Sequence, residues 1–80
     1  MNAMIKEHDL IVLTCDLPKE GLKAGDVGTV VHIYKRGEAF EVEFVTLYGD
    51  TVAVATVLAS QVRPVSHGDL THARPMKLRA

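Results

Sequence analysis

The sequence predicts an all-β fold: a small, strongly curved antiparallel barrel of five strands. Three observations lead there. Gly21-Leu22-Lys23-Ala24-Gly25-Asp26-Val27-Gly28-Thr29-Val30-Val31 passes from backbone breakers and an acidic turn residue straight into a β-branched run. Such a stretch reads as the end of a loop, a sharp corner and the start of a bent strand. Phe40-Glu41-Val42-Glu43-Phe44 alternates apolar with acidic residues, which puts the two kinds on opposite faces of a strand. The other apolar runs are short, turn signals separate them, and none has helical spacing.

The first strand is Leu10-Ile11-Val12-Leu13, bounded by Asp9 and by Thr14-Cys15-Asp16. A long connector over 16–25 follows. Pro18 cannot donate to a ladder, Gly21 and Gly25 mark turns, and Leu17 and Leu22 are expected to tuck inward. Val27 to Tyr34 is the second strand, with a bulge or tight bend expected at Gly28. Lys35-Arg36-Gly37-Glu38 makes a hairpin turn into the third strand, 40–44. Leu47-Tyr48-Gly49-Asp50 makes the next turn, into a fourth strand over 51–57 with small residues on one side. Leu58-Ala59-Ser60 forms a 3₁₀ turn. Gln61-Val62-Arg63-Pro64-Val65 is a short last strand, which Pro64 marks as an edge. Sheet closure is expected to limit exposed edges. Five short strands, one long early loop and a 3₁₀ turn before the last strand together resemble an SH3-like barrel.

The chain has 80 residues, enough for one domain. A chain of this size buries only about 60% of its unfolded surface, which leaves little room for an enclosed substrate pocket. Residues 1–65 read as the barrel domain. Residues 66–80 lose the pattern and read as a C-terminal tail. The formal net charge of −1 hides an asymmetry. Residues 1–66 carry three more acids than bases, and residues 67–80 two more bases than acids. An acidic body argues against binding a phosphate backbone, which takes clustered Lys and Arg. Cys15 is the only cysteine. It permits no internal disulfide or thiolate metal site and fits a reducing compartment. No apolar run approaches the length of a signal-peptide core or a membrane span. A cytoplasmic protein is expected.

Chemistry is sparsely written. His8, His32, His67 and His72 lack ligand spacing, so surface histidines are expected and no metal or cofactor is. Cys15 would need a nearby base to act as a nucleophile, and it reads as a small, partly buried filler at a strand end. Glu41 and Glu43 share a strand face and read as solvated. No catalytic residue is assigned. The residues selected for partner binding are Leu17, Pro18, Tyr34, Lys35, Arg36 and Tyr48, on the expectation that the connector and both hairpin turns lie together as an apolar patch. The bland alternative is that Tyr34 and Tyr48 cover the barrel ends.

Glu7-His8-Asp9-Leu10-Ile11-Val12-Leu13-Thr14, Asp16-Leu17-Pro18, Gly21-Leu22, Gly25 to Val31, Glu38 to Phe44 and Gln61 to Val65 resemble a bacterial family of small uncharacterised proteins, a domain of unknown function with an SH3-like barrel expected. The resemblance covers about residues 4–65 and brings no catalytic motif. It implies a gene neighbour encoding a second small protein, in some cases a toxin–antitoxin-like pair. A narrower likeness, over Gly25-Asp26-Val27-Gly28-Thr29-Val30, is to the KOW-type strand–turn unit of ribosomal and transcription proteins. The expected function is therefore a non-catalytic protein-binding module, possible partners including the product of a neighbouring gene. The alternative is RNA or ribosome association through Lys35, Arg36, Arg74, Lys77 and Arg79. Pairing of the 61–65 edge across a dimer is left open.

Overall fold

The computed structural model describes residues 4–76. The strands are β1 (Leu10–Leu13), β2 (Val27–Tyr34), β3 (Ala39–Val45), β4 (Thr51–Leu58) and β5 (Val62–Pro64), with 3₁₀ turns at Pro18–Glu20 and Ala59–Gln61. They form one sheet in the order β4-β3-β2-β1-β5, and each neighbouring pair is antiparallel. This is the strand order of a five-stranded SH3-like barrel, with its long β1–β2 connector and a 3₁₀ turn before the last strand. The second turn falls one residue later than expected because the Gln61 side chain accepts the Leu58 N–H at 2.8 Å, which holds Leu58 in β4. Among the described residues no helix is long and apolar enough to cross a membrane.

The sheet wraps a core in which Ile11, Leu13, Val30, Val42 and Val57 are fully buried. Phe40, Val42 and Phe44 supply the inward face of β3, and Ala55 and Val57 that of β4. Leu22 is buried and Leu17 packs partly against the core. A two-way backbone bridge between them (Leu17 N–H to Leu22 O 2.9 Å, Leu22 N–H to Leu17 O 3.1 Å) folds the connector into an ordered loop. One expectation needs correction. β4 and β5 are the two edges of the sheet, joined through the Ala59–Gln61 turn rather than by a ladder. Side-chain packing, not hydrogen bonding, closes the barrel, and the long β4 edge stays open.

The bulge also lies elsewhere. Gly28 keeps regular register opposite Ile11, while the β2–β3 register shifts between Val30 and His32. The extra residue, Val31, reverses the phase of the strand. Val30 points into the core, yet His32 and Tyr34 face outward and Ile33 packs on the core. Gly28 serves close packing instead. A Cβ there would lie 2.5 Å from Val42 Cγ1 and 2.9 Å from the Phe44 ring.

The tail folds back on the barrel. Arg63 holds Asp69 through two parallel bonds of 2.9 and 2.8 Å, and Asp69 also accepts the Ser66 N–H at 2.7 Å. Further on, Arg74 clasps the connector. Its Nε donates to Asp26 Oδ1 at 2.9 Å, one Nη donates to Asp26 Oδ2 at 2.5 Å and to the Gly21 carbonyl at 3.1 Å. Met76 reaches over Gly21, whose φ of +72° suits a residue without a Cβ. Leu70, by contrast, is fully exposed. Leu78, Lys77 and Arg79 lie outside the described residues.

Partial burial pushes the Asp26 carboxyl up, but hydrogen bonds from Arg74 and from the Lys23 N–H outweigh it and hold the group below its ordinary 3.8. A depressed carboxyl stabilises the clasp above the ordinary value, and that contribution is lost as pH falls through the folded value. Acidification below pH 3.8 is therefore expected to release residues 74–76 before the core unfolds. Asp26→Asn should release them at neutral pH, at a cost of about 1 kcal/mol for a partly exposed pair. The Met76 methyl and Arg74 Nε–H resonances report both. A tail that stays docked in the variant would contradict the clasp.

Candidate functional site

An open concavity lies where the N-terminal segment, the β2–β3 turn and β5 meet. It is an open cleft of about 710 Å³ with an apolar lining from Met4, Ile5, Ile33, Phe40, Val62 and Pro64. Arg36 and Arg63 complete its walls. Each lining residue has a local cause. The Val31 bulge turns Ile33 inward. Phe40 follows from the alternation of β3. The N-terminal segment is pinned by the His8 N–H to the Val30 carbonyl (2.7 Å) and by Asp9, which accepts the Lys6 N–H at 2.9 Å. That anchor brings Ile5 against the core and leaves Met4 exposed.

The β2–β3 turn is under backbone strain. Lys35 and Arg36 have φ of +47° and +59°, and Gly37 follows at +99°. Two left-handed central residues make a turn of the mirror-image hairpin kind, which normally carries Asn-Gly. An ordinary L-residue costs roughly 1 kcal/mol in that conformation. The Tyr34 carbonyl accepts from Gly37 and Glu38, at 2.9 and 3.2 Å, and fastens the turn. The result is Arg36 set into the cleft wall.

The two arginines differ electrostatically. The hydrogen-bonded Asp69 carboxylate raises the Arg63 pKa, and Arg63 and the Ser66 N–H together hold the Asp69 carboxyl far below the usual range. The Arg63 charge is thus largely offset. Arg36 stands in the cleft wall as a cation without an ion-pair partner among the described residues.

The residues selected from sequence do not gather in one patch. The Tyr34↔Ala39 and Val45↔Thr51 pairings mark opposite ends of β3, about 20 Å apart at ~3.3 Å per residue. Leu17, Pro18 and Tyr48 are placed at one end and Tyr34, Lys35 and Arg36 at the other. Leu17 is half-buried in the connector and Pro18 exposed. Tyr48 stands clear of the body at 98% exposure. Tyr34 lies on the outer face of the sheet. Its ring meets His32 edge-on at 4.6 Å, and its hydroxyl donates to Glu41 Oε1 at 3.4 Å. Desolvation, then the Glu41 charge, raises its pKa. Lys35 is exposed at the turn. Only Arg36 lines the cleft. Glu41 and Glu43 accept the Thr56 and Thr51 hydroxyls at 2.6 and 2.7 Å, which fixes them as parts of the outer face. Among the described residues no three His, Cys, Asp or Glu side chains group as a metal site.

The sequence matches the family model described as Domain of unknown function (DUF4926) over residues 7–64. The chain belongs to this family. The DUF4926 match runs through all five strands and ends at Pro64, the last residue of β5. Ile33, Arg36, Phe40 and Val62 fall inside it, whereas Met4, Ile5 and the clasping tail fall outside. No curated protein and no solved structure matches the chain.

Proposed function

We propose that this DUF4926 chain is a non-catalytic protein-binding module of the bacterial cytoplasm. It takes an apolar side chain of its partner into the cleft and pairs an adjacent partner carboxylate with Arg36. The observation that carries this reading is the combination found there: an apolar concavity whose wall holds, among the described residues, one cation outside any ion pair, on an otherwise acidic barrel. Apolar pockets with a few convergent polar groups are the usual form of a recognition site. Resemblance to a family with paired small genes makes the product of a neighbouring gene the first partner to test, in an accessory or antitoxin-like role. RNA association has less support, because Arg74 and Arg63 are committed to Asp26 and Asp69.

The test is affinity capture by the full chain with the product of the neighbouring gene and with native lysate, run beside Arg36→Glu and Met4→Asp. Both positions are exposed, so the fold should persist, as circular dichroism would verify. A protein held stoichiometrically by the parent chain and lost by both variants is expected. A protein held equally by all three would place binding elsewhere. Ribosomal RNA released by salt would replace the proposal with the nucleic-acid reading.

A further inference from the structure

β4 is an edge strand of eight residues, Thr51-Val52-Ala53-Val54-Ala55-Thr56-Val57-Leu58. It carries no charge and no proline. Edge strands in soluble proteins are usually blunted by charge, proline or a bulge, because their unpaired N–H and C=O groups template pairing. The one irregularity here, between Phe44 and Val45 of β3, affects only the Thr51 end. From Ala53 to Leu58 the register with β3 is unbroken.

Hydrogen bonding shows which groups face outward. The Ala59 N–H bonds the Glu38 carbonyl at 3.0 Å, directly opposite in register. Antiparallel ladders alternate, so Ala53, Ala55 and Val57 bond to β3 while Val54, Thr56 and Leu58 present their backbone groups to the open edge. Leu58 has its N–H already taken by Gln61. Among the described residues Val54 and Thr56 remain, each with both N–H and C=O unpaired, placed symmetrically about Ala55.

We propose that this edge pairs with the β4 edge of a second copy of the chain, antiparallel, about a two-fold axis at Ala55. The occupant follows from self-complementarity. In this register Val54 faces Thr56 of the other copy and Thr56 faces Val54, so four backbone bonds form and both unpaired residues are satisfied. Val54 and Thr56 are both β-branched, a pair suited to cross-strand packing on the outer face. Ala55 meets Ala55 at the axis, a non-hydrogen-bonded position where strands approach most closely. Asp50 falls opposite Ser60, so no like charges oppose each other across the strands. β5 is the poorer edge: Pro64 has no N–H, and Arg63 is tied to Asp69. A single strand pair buries less than a standard interface, so the dimer should be reversible.

Analytical ultracentrifugation of the full chain up to millimolar concentration tests this, together with amide exchange. The expected result is a monomer–dimer equilibrium in which the Val54 and Thr56 amides gain protection as concentration rises, while Ala55 is protected throughout. Val54→Lys, at a position 51% exposed, should abolish the dimer with its thermal midpoint nearly unchanged. Monomer at every concentration, with both amides fast-exchanging, would overturn the proposal. So would a dimer that survives Val54→Lys.

Discussion

Gly28→Ala is expected to be the most damaging conservative substitution in the barrel. The added methyl would lie 2.5 Å from Val42 Cγ1 and 2.9 Å from two carbons of the Phe44 ring. Neither neighbour can retreat. Val42 is fully buried and Phe44 nearly so, and both are packed within the core cluster. Overpacking a closed core costs about 3 kcal/mol at the upper end of its usual range. In a domain of this size that lowers Tm by on the order of 15 °C. The diagnostic partner is Val42→Ala, which removes the atom in the way. The double variant should be distinctly more stable than the two single losses added together, because the sites share one volume. A Gly28→Ala chain with the parent Tm would show that the β1–β2–β3 packing is looser than described.

The second large effect has the opposite sign. Replacing Lys35-Arg36 by Asn-Gly supplies the residues that a mirror-image hairpin turn prefers. It relieves two left-handed L-residues at φ +47° and +59°. The expected gain is about 1–2 kcal/mol, since each such residue costs roughly 1 kcal/mol or more. The natural sequence forgoes that stability, and in exchange the turn sets an arginine into the cleft wall. Strain of this kind gathers at functional positions, and here it coincides with an arginine of the cleft wall that is in no ion pair among the described residues.

Much of the fold was legible in the sequence, because strand identity is a local matter. The alternation Phe40-Glu41-Val42-Glu43-Phe44 states both a strand and its buried face. Pro18, Gly21 and Gly25 mark a loop, and Pro64 an edge. The Val31 bulge was not legible. A bulge is a relation between two strands, and nothing in Val30-Val31-His32 distinguishes the extra residue from its neighbours. The sequence marks Gly28 instead, since a glycine within a strand signals either a bulge or a close approach, and only the positions of Val42 and Phe44 decide between them.

The candidate site was harder to read for a related reason. Ile5, Ile33, Phe40, Val62 and Pro64 come from separate parts of the chain, and only the fold brings them together. The aromatic turn residue Tyr48 was conspicuous in sequence but lies at the far end of β3 from Tyr34. In sequence, Arg36 is legible only as part of a hairpin turn. Its left-handed backbone was hidden because Tyr-Lys-Arg-Gly lacks the Asn-Gly signature of such turns. In sequence, Arg74 is only one of the bases of the C-terminal tail. Its bonds to Asp26 and Gly21 span 48 and 53 positions of sequence, a distance at which composition says nothing.

The central claim is that the Arg36 cleft is the working face of the barrel. It is tested most directly by measuring Tm and partner capture together for the chain carrying Lys35→Asn and Arg36→Gly. The account predicts a higher Tm and loss of the partner that the parent chain holds. A chain that is more stable and still captures that partner at parent strength would contradict it, and would move the binding face away from the cleft.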